Sequence, residues 1–519
     1  MSHAHARLLA DLLRPGAYPP PAPSQVELVT THISWVFLTD REAWKLKRPV
    51  RLAFLDYTTP ERRRHFCEEE VRLNRRLAPD VYRGVAPVRL GPSGHTFRDE
   101  GQVVDHAVRM RRLAPETSAE ARLAAGTLGH DDLGAVATRL AGLYATAVAA
   151  PAYGALEVVR RNAAENFEET RPARGHLVPA ATFDAVEAWQ LGFLAAHPAR
   201  FTARVAQGRI REGHGDLRLE HVHFEGGPPS IIDCIEFSER FRMGDAAADA
   251  GFLAMELDAR ERPDLAASFL ARFARESNDY DLYGVIDFYL SYRAWVRAKV
   301  AALLAGDPST PPDKAARKVA EARRLFALAE RYGRPPPGPT ARLLLAVGGL
   351  IGTGKTALAE GLGQALGLPV VEADRTRKWL AGVAPTDRAP ARAYEPAFSA
   401  RTFEELFRRA AVVLESGRGV ILDATFRGRD LRRRARDLAH RHGCRFLFIE
   451  TTLDEARLRE RLRRRALAPA VSDATEALLP RMRAEFEPVL ELSPAEHLVV
   501  RTSEPVADLV AAVRRVLGV

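Results

Sequence analysis

The residues with the plainest chemical purpose lie in Leu343–Thr356, LLLAVGGLIGTGKT. An apolar run enters Gly349-Leu-Ile-Gly352-Thr353-Gly354-Lys355-Thr356, which satisfies G-x-x-x-x-G-K-[ST] at every fixed position. Glycines in such a loop let consecutive backbone N–H groups turn inward around a polyphosphate, and Lys355 reaches the β- and γ-phosphates. The Thr356 hydroxyl is the expected Mg²⁺ ligand. The helix expected over Ala357–Leu366 points its positive end at the anion. A chance match in a chain this long is about one or two in a hundred. The pattern predicts a nucleoside triphosphate site.

A second set of candidates is His214-Gly-Asp216-Leu-Arg-Leu-Glu-His221-Val-His-Phe, followed by Ile231-Ile232-Asp233-Cys-Ile-Glu236-Phe and Gly244-Asp245-Ala-Ala-Ala-Asp249. Phosphoryl transfer needs one carboxylate to orient and deprotonate an acceptor hydroxyl, and a second to hold a metal ion on the phosphates. These runs resemble the aminoglycoside phosphotransferase-like branch of the protein kinase fold, which reads H-G-D-x-x-x-x-N, then an apolar strand ending in I-D, then G-D-x-x-x-D. The resemblance implies Asp216 as the base and Asp233 as a metal ligand. His221 stands where the family places its second metal ligand, an Asn. A neutral imidazole binds metals but suits Mg²⁺ less well than an amide oxygen. The resemblance also implies a strand Lys paired with a helix Glu over the α- and β-phosphates. Trp44-Lys45-Leu-Lys47 offers two lysines on one strand face, Lys47 favoured and Lys45 next. Of Glu68-Glu69-Glu70, Glu70 fits best. Met110 is expected at the inter-lobe hinge near the adenine. No Gly-rich loop precedes these lysines; Thr31-His-Ile-Ser34 occupies its place.

Beyond the phosphate loop, Arg418-Gly-Val-Ile-Leu-Asp423 is an apolar strand ending in a carboxylate, the expected holder of the Mg²⁺ water shell. Val370-Val-Glu-Ala-Asp374-Arg-Thr-Arg377 ends another strand with D-x-x-R. This half resembles small P-loop kinases of the gluconate kinase, zeta-toxin and polynucleotide 5′-kinase type. The resemblance implies that Asp374 orients the acceptor hydroxyl and that Arg377 clamps substrate or phosphate. Arg457–Arg465 resembles a lid helix, with Arg461 and Arg464 on one face.

The elements that must position these residues change character along the chain. Residues 1–24 end in a Pro-rich run and read as an extended lead-in. Strands are expected at 26–33, 35–38, 43–47, 85–90 and 103–110, with a helix over 62–77 before the pattern turns helical. Gly333–Thr340, with four prolines and two glycines, reads as a stiff linker. Beyond it strands at 343–348, 369–373, 419–423, 446–450 and 497–501 alternate with helices. The fold class is therefore two-domain: an N-terminal α+β bilobal, protein-kinase-like domain over 25–332, and a C-terminal α/β P-loop kinase domain with a parallel doubly wound sheet over 341–519.

Composition bounds the function. No run is long and apolar enough for a membrane span or export signal, and three separated cysteines form neither a disulfide framework nor a zinc pattern, so a cytoplasmic location is expected. Residues 341–519 carry 30 Lys and Arg against 23 Asp and Glu, which suits a polyanionic partner. The expected activity is ATP- or GTP-dependent phosphoryl transfer with Mg²⁺, or Mn²⁺ in its place, to a hydroxyl of a small-molecule acceptor at two nucleotide sites. Two alternatives stand beside it. The basic half could phosphorylate a nucleic-acid 5′-hydroxyl, or one domain could be a nucleotide sensor that regulates the other.

Overall fold

A computed structural model describes residues 3–52, 55–308, 310–336, 338, 340–465 and 471–519. By compactness the chain forms two units: Met1–Ala155 with Arg204–Glu256, and Leu156–Ala203 with Leu257–Val519.

The first unit is built on an antiparallel sheet of β1 (Glu27–Thr30), β2 (Ser34–Leu38), β3 (Glu42–Lys47), β4 (Tyr82–Gly91), β5 (Gly94–Thr96) and β6 (Gln102–Arg111), in the order β1-β2-β3-β6-β4-β5. Side chains alternate along β3, and its two faces meet different helices. Trp44 and Leu46 face α1 (His3–Leu12), whose Leu8, Leu9 and Leu12 join them in one core. The lead-in thus carries a helix ahead of its exposed proline run. On the other face Ala43 packs with Cys67 and Val71 of α2 (Pro60–Asn74). Lys45 and Lys47 share that face, so period-two geometry aims both at α2. Thr59 caps α2 by accepting from the Arg62 N–H, and Pro60 occupies its first turn. Short antiparallel pairs, Ile210–Glu212 with Met243–Asp245 and Val222–His223 with Ser230–Ile231, flank the His214–Asp216 segment, and α3 (Ala246–Ala259) follows.

In the second unit α4 (Pro263–Glu276) and the long helices Ile286–Gly306 and Pro312–Arg331 lie in the same compact body as a five-stranded parallel sheet. Its strands are β7 (Leu343–Gly349), β8 (Val370–Glu372), β9 (Val420–Asp423), β10 (Arg445–Thr452) and β11 (His497–Arg501), in the order β8-β9-β7-β10-β11. Helices α5 (Lys355–Leu366), α6 (Ala373–Leu380), α7 (Pro396–Glu415), α8 (Arg429–Arg441), α9 (Glu455–Arg465) and α10 (Val506–Leu517) complete it. Leu358 and Leu362 of α5 and Leu509 and Val513 of α10 share one core with Leu345, Val347 and Ile421 of the sheet. Every residue of β7 is buried, as expected of a central parallel strand covered on both faces. The described residues of 333–340 form neither helix nor strand.

Candidate active sites

In the first unit, two lysines of β3 bridge Glu70 of α2 to the 233–236 segment. The Glu70 carboxylate is fully buried and accepts from Lys45 Nζ at 2.9 Å and from Lys47 Nζ at 2.5 Å. Helical spacing turns Glu70 inward, while Glu68 and Glu69 pair at the surface with Arg64 and Arg72. Lys45 also reaches Asp233 Oδ1 at 2.6 Å. Lys47 instead lies beneath, 1% exposed, bound to Glu236, which also accepts from the Tyr57 hydroxyl at 2.5 Å. The order of preference between the two lysines is therefore reversed: only Lys45 contacts Asp233, whose side chain is 42% exposed. Desolvation opposes the Asp233 charge, but the field and the hydrogen bond of the Lys45 ammonium outweigh it and hold its carboxyl well below the usual range. Burial likewise disfavours charge on Lys45, yet Asp233 and Glu70 keep it firmly protonated.

Asp233 adopts φ +64°, a left-handed backbone that costs about 1–2 kcal/mol for a residue with a Cβ. Two donations hold the turn: its N–H to the Tyr82 hydroxyl (3.1 Å) and the Cys234 N–H to Asn74 Oδ1 (2.9 Å). Asn74 belongs to α2, so one helix carries both Glu70 and the brace for the Asp233 loop.

The His214–Asp216 loop hangs on Asp249 of α3. That carboxylate accepts from the N–H groups of His214 (2.6 Å) and Gly215 (3.1 Å) and from the Tyr144 hydroxyl (2.6 Å). Gly215 has φ +85°, and a Cβ there would lie 2.8 Å from the Phe241 carbonyl oxygen. The His214 ring donates from Nε2 to the Ile232 carbonyl (2.8 Å) and accepts at Nδ1 from the Asp216 N–H (3.3 Å), which requires the neutral ring. Asp216 remains 31% exposed. Asp245, the other carboxylate of that motif, is tied to buried Arg204 at 2.5 and 2.8 Å. His221 Nδ1 donates to the Asp216 carbonyl (2.9 Å), and its Nε2 lies 3.5 Å from Asp233 Oδ2. Met110 is buried beside Ala43, Val36, Leu38 and Ile232, an apolar bed next to Asp233.

In the second unit, the phosphate loop joins β7 to α5. Gly349 has φ +133°, and a Cβ would sit 2.4 Å from the Thr451 carbonyl oxygen, so only glycine keeps this bend against β10. Thr353 braces the loop through Leu350 O (2.8 Å) and Thr451 Oγ1 (2.7 Å). Lys355 Nζ donates to the Leu350 carbonyl (2.8 Å), and the Thr356 hydroxyl to Asp423 Oδ2 (2.6 Å). Burial, then the field of Glu372, pushes Asp423 up to about 7. A small oxygen-donor set at the mouth of a glycine cradle fits a nucleotide with a hard divalent cation. Arg461 and Arg464 meet Gly352 and Gly354 around a cavity of about 280 Å³. Arg461 is held by the Thr502 carbonyl (2.7 Å); residues 466–470 lie outside the described residues.

Asp374 is half-buried in the first turn of α6. Arg377, expected as a clamp, is instead 9% exposed and donates to Ala393 O (2.6 Å) and Ser399 Oγ (3.1 Å). Its guanidinium is spent on holding the segment before α7, under the Tyr394 ring. Glu372, beside Asp423 in the β8–β9 register and 2% exposed, is bound by Arg275 of α4. Sequence reasoning passed over Glu236, Glu372 and Arg275. Glu236 and Glu372 each sit within three residues of a named aspartate; Arg275 carries no local signal.

Residues 36–284 match the model of the phosphotransferase enzyme family, and residues 344–489 match that of an AAA domain. Uncharacterized protein Rv2004c of Mycobacterium tuberculosis and Uncharacterized protein Mb2027c of Mycobacterium bovis are each 32% identical over 421 residues, which is 80% of this chain and 81% of each relative. Among solved structures, a choline/ethanolamine kinase family protein from Mesorhizobium loti is 15% identical, covering 64% of this chain and 98% of that one at TM-score 0.38. A gluconokinase from Sinorhizobium meliloti is 21% identical, covering 36% and 94% at TM-score 0.26. This chain belongs to the family of those mycobacterial proteins and is a kinase or phosphotransferase, with a phosphotransferase-family region followed by a P-loop domain.

Proposed function

We propose that the chain is an ATP-dependent phosphotransferase with two nucleotide sites, carried by residues 25–332 and 341–519 with 333–340 as connector, each acting on a hydroxyl of a small-molecule acceptor. One observation carries the reading: each unit assembles, from segments far apart in sequence, a phosphate-seeking lysine beside a carboxylate suited to a metal. They are Lys45 with Asp233, and Lys355 and Thr356 with Asp423.

In the first site Lys45, steadied by Glu70, orients the phosphates, and Asp216 takes the proton from the acceptor hydroxyl. Asp249 keeps Asp216 in place through the loop backbone. In the second, the loop N–H groups and Lys355 hold the phosphates, Arg461 and Arg464 close over them, and Asp374 faces the acceptor. Arg377 acts there by shaping the acceptor wall. A bound divalent cation would neutralise charge on the phosphate oxygens at Asp233 and at Thr356 with Asp423.

The test is ATP turnover by the full chain, with Asp216→Ala and Lys355→Ala, followed by acceptor screens. Partial loss in each variant is the expected result. Complete loss in Lys355→Ala with no change in Asp216→Ala would leave the first site as a sensor.

A further inference from the structure

We propose that the metal seat of the first unit is a nitrogen–oxygen pair, His221 Nε2 with Asp233 Oδ2, which selects a first-row transition cation over Mg²⁺. The inference rests on reading this unit as a nucleotide site and adds the identity of its cation.

Three contacts carry it. A carbonyl oxygen can only accept, so the 2.9 Å contact between His221 Nδ1 and the Asp216 carbonyl places the ring proton on Nδ1. That leaves Nε2 as the ring atom able to offer a lone pair to a cation, and it faces Asp233 Oδ2 at 3.5 Å. A backbone carbonyl behind a ligating imidazole is the arrangement that orients such ligands and raises their basicity. Asp233 divides its oxygens, Oδ1 to Lys45 at 2.6 Å and Oδ2 toward His221, so one oxygen is kept on the imidazole side. The His214 ring stacks on His221 with centroids 6.1 Å apart, fixing its plane. Two ligand bonds of about 2.1 Å each span the Nε2–Oδ2 gap.

Imidazole nitrogen suits first-row transition cations, whereas Mg²⁺ seeks oxygen and gives up its water reluctantly. Among the described residues no group of three or more His, Cys, Asp or Glu side chains is placed to hold a metal by itself. Phosphate oxygens and water would complete the shell, so the nucleotide should strengthen binding of the cation.

The experiment is electron spin echo spectroscopy of the full chain with Mn²⁺ and ADP, alongside His221→Asn, His221→Gln and Asp233→Asn. Bound Mn²⁺ is counted in each case, and circular dichroism checks folding. Wild type should show ¹⁴N modulation from a coordinated imidazole, lost in both His221 variants, and Asp233→Asn should remove about one Mn²⁺ per chain. Competition should show Mg²⁺ displacing this Mn²⁺ at least tenfold more readily in His221→Asn than in wild type. Asp233-dependent Mn²⁺ without ¹⁴N modulation overturns the nitrogen ligand and leaves the nucleotide site standing. Binding of Mn²⁺ that is indifferent to Asp233→Asn overturns both.

Discussion

Lys47 and Glu70 meet at 2.5 Å, and neither side chain is reached by solvent. Two residues back on the same strand, Lys45 makes the other half of the Glu70 contact from a position 14% exposed. The lysines therefore differ in place, Lys47 in the interior and Lys45 part-exposed beside Asp233, and under the proposed function Lys47 stabilises while Lys45 orients the phosphates. Lys47→Met leaves Glu70 with one partner and Glu236 without its ammonium, and should destabilise the first unit by about 3–5 kcal/mol. Lys45→Met should keep the fold and lower Asp216-dependent turnover about a hundredfold. Urea unfolding and turnover, measured on both variants, would reject the division if the two effects came out exchanged.

Asp249 collects two backbone N–H groups and the Tyr144 hydroxyl. Its role is to shape the loop that holds Asp216. Asp249→Ala should cost first-site turnover about as much as Asp216→Ala, and the double variant no more than either alone. Amide exchange over 213–216 should rise only where Asp249 is replaced. Additive losses would show that Asp249 acts separately from Asp216.

The neutral His214 ring makes this loop sensitive to acid. Burial depresses its pKa, and the ring faces the Ile232 carbonyl, the Asp216 N–H, Asp249 and His221. A histidine depressed in the folded state binds more protons when unfolded, so its stabilisation is full above about pH 6.5 and is lost as pH falls below that. His223 shifts in the same direction, again through burial. Exchange protection over 210–223, corrected for intrinsic rate, should fall between pH 7 and 5, less steeply in His214→Gln. Equal slopes would remove His214 as the cause.

Gly349 is the position of the phosphate loop least able to carry a side chain. Gly349→Ala should weaken nucleotide binding at the second site more than a hundredfold while leaving Asp216-dependent turnover in place. Titration with a fluorescent ADP analogue in a Lys45→Met background, which lacks the phosphate lysine of the first site, reads the second site, and unchanged affinity would contradict the geometry.

Strand β8 is a sheet edge but fully buried, and a carbonyl on its free side is capped from outside the P-loop region: the Tyr280 hydroxyl donates to the Val370 carbonyl at 2.6 Å. Arg275 adds ion pairs to Glu372 and Glu360. Tyr280→Phe should cost about 1 kcal/mol in the second unit, and a chain begun at residue 341 should melt below the full-length protein. Identical melting of the truncated and full-length P-loop transition would show that this cover adds nothing.

Local pattern settled much of this protein. The glycine spacing of 349–354, the apolar strand ending at Asp423, the five alternating strands beyond residue 341 and the helix bearing Glu70 were all legible, because each depends on short-range periodicity and on residues a few positions apart. The phosphotransferase-family and P-loop character of the two regions followed from the same motifs. Tertiary structure decided what spacing cannot express. Period two places Lys45 and Lys47 on one face, but only the depth of packing under Glu236 and Tyr57 separates their roles. D-x-x-R names Arg377, yet the fold of 391–399 over it turns the guanidinium inward. Arg275 and Tyr280 lie 97 and 90 residues from their partners. Sequence patterns record neighbours along the chain, whereas a buried charge is partnered by whatever segment the packing brings within about 3 Å of it.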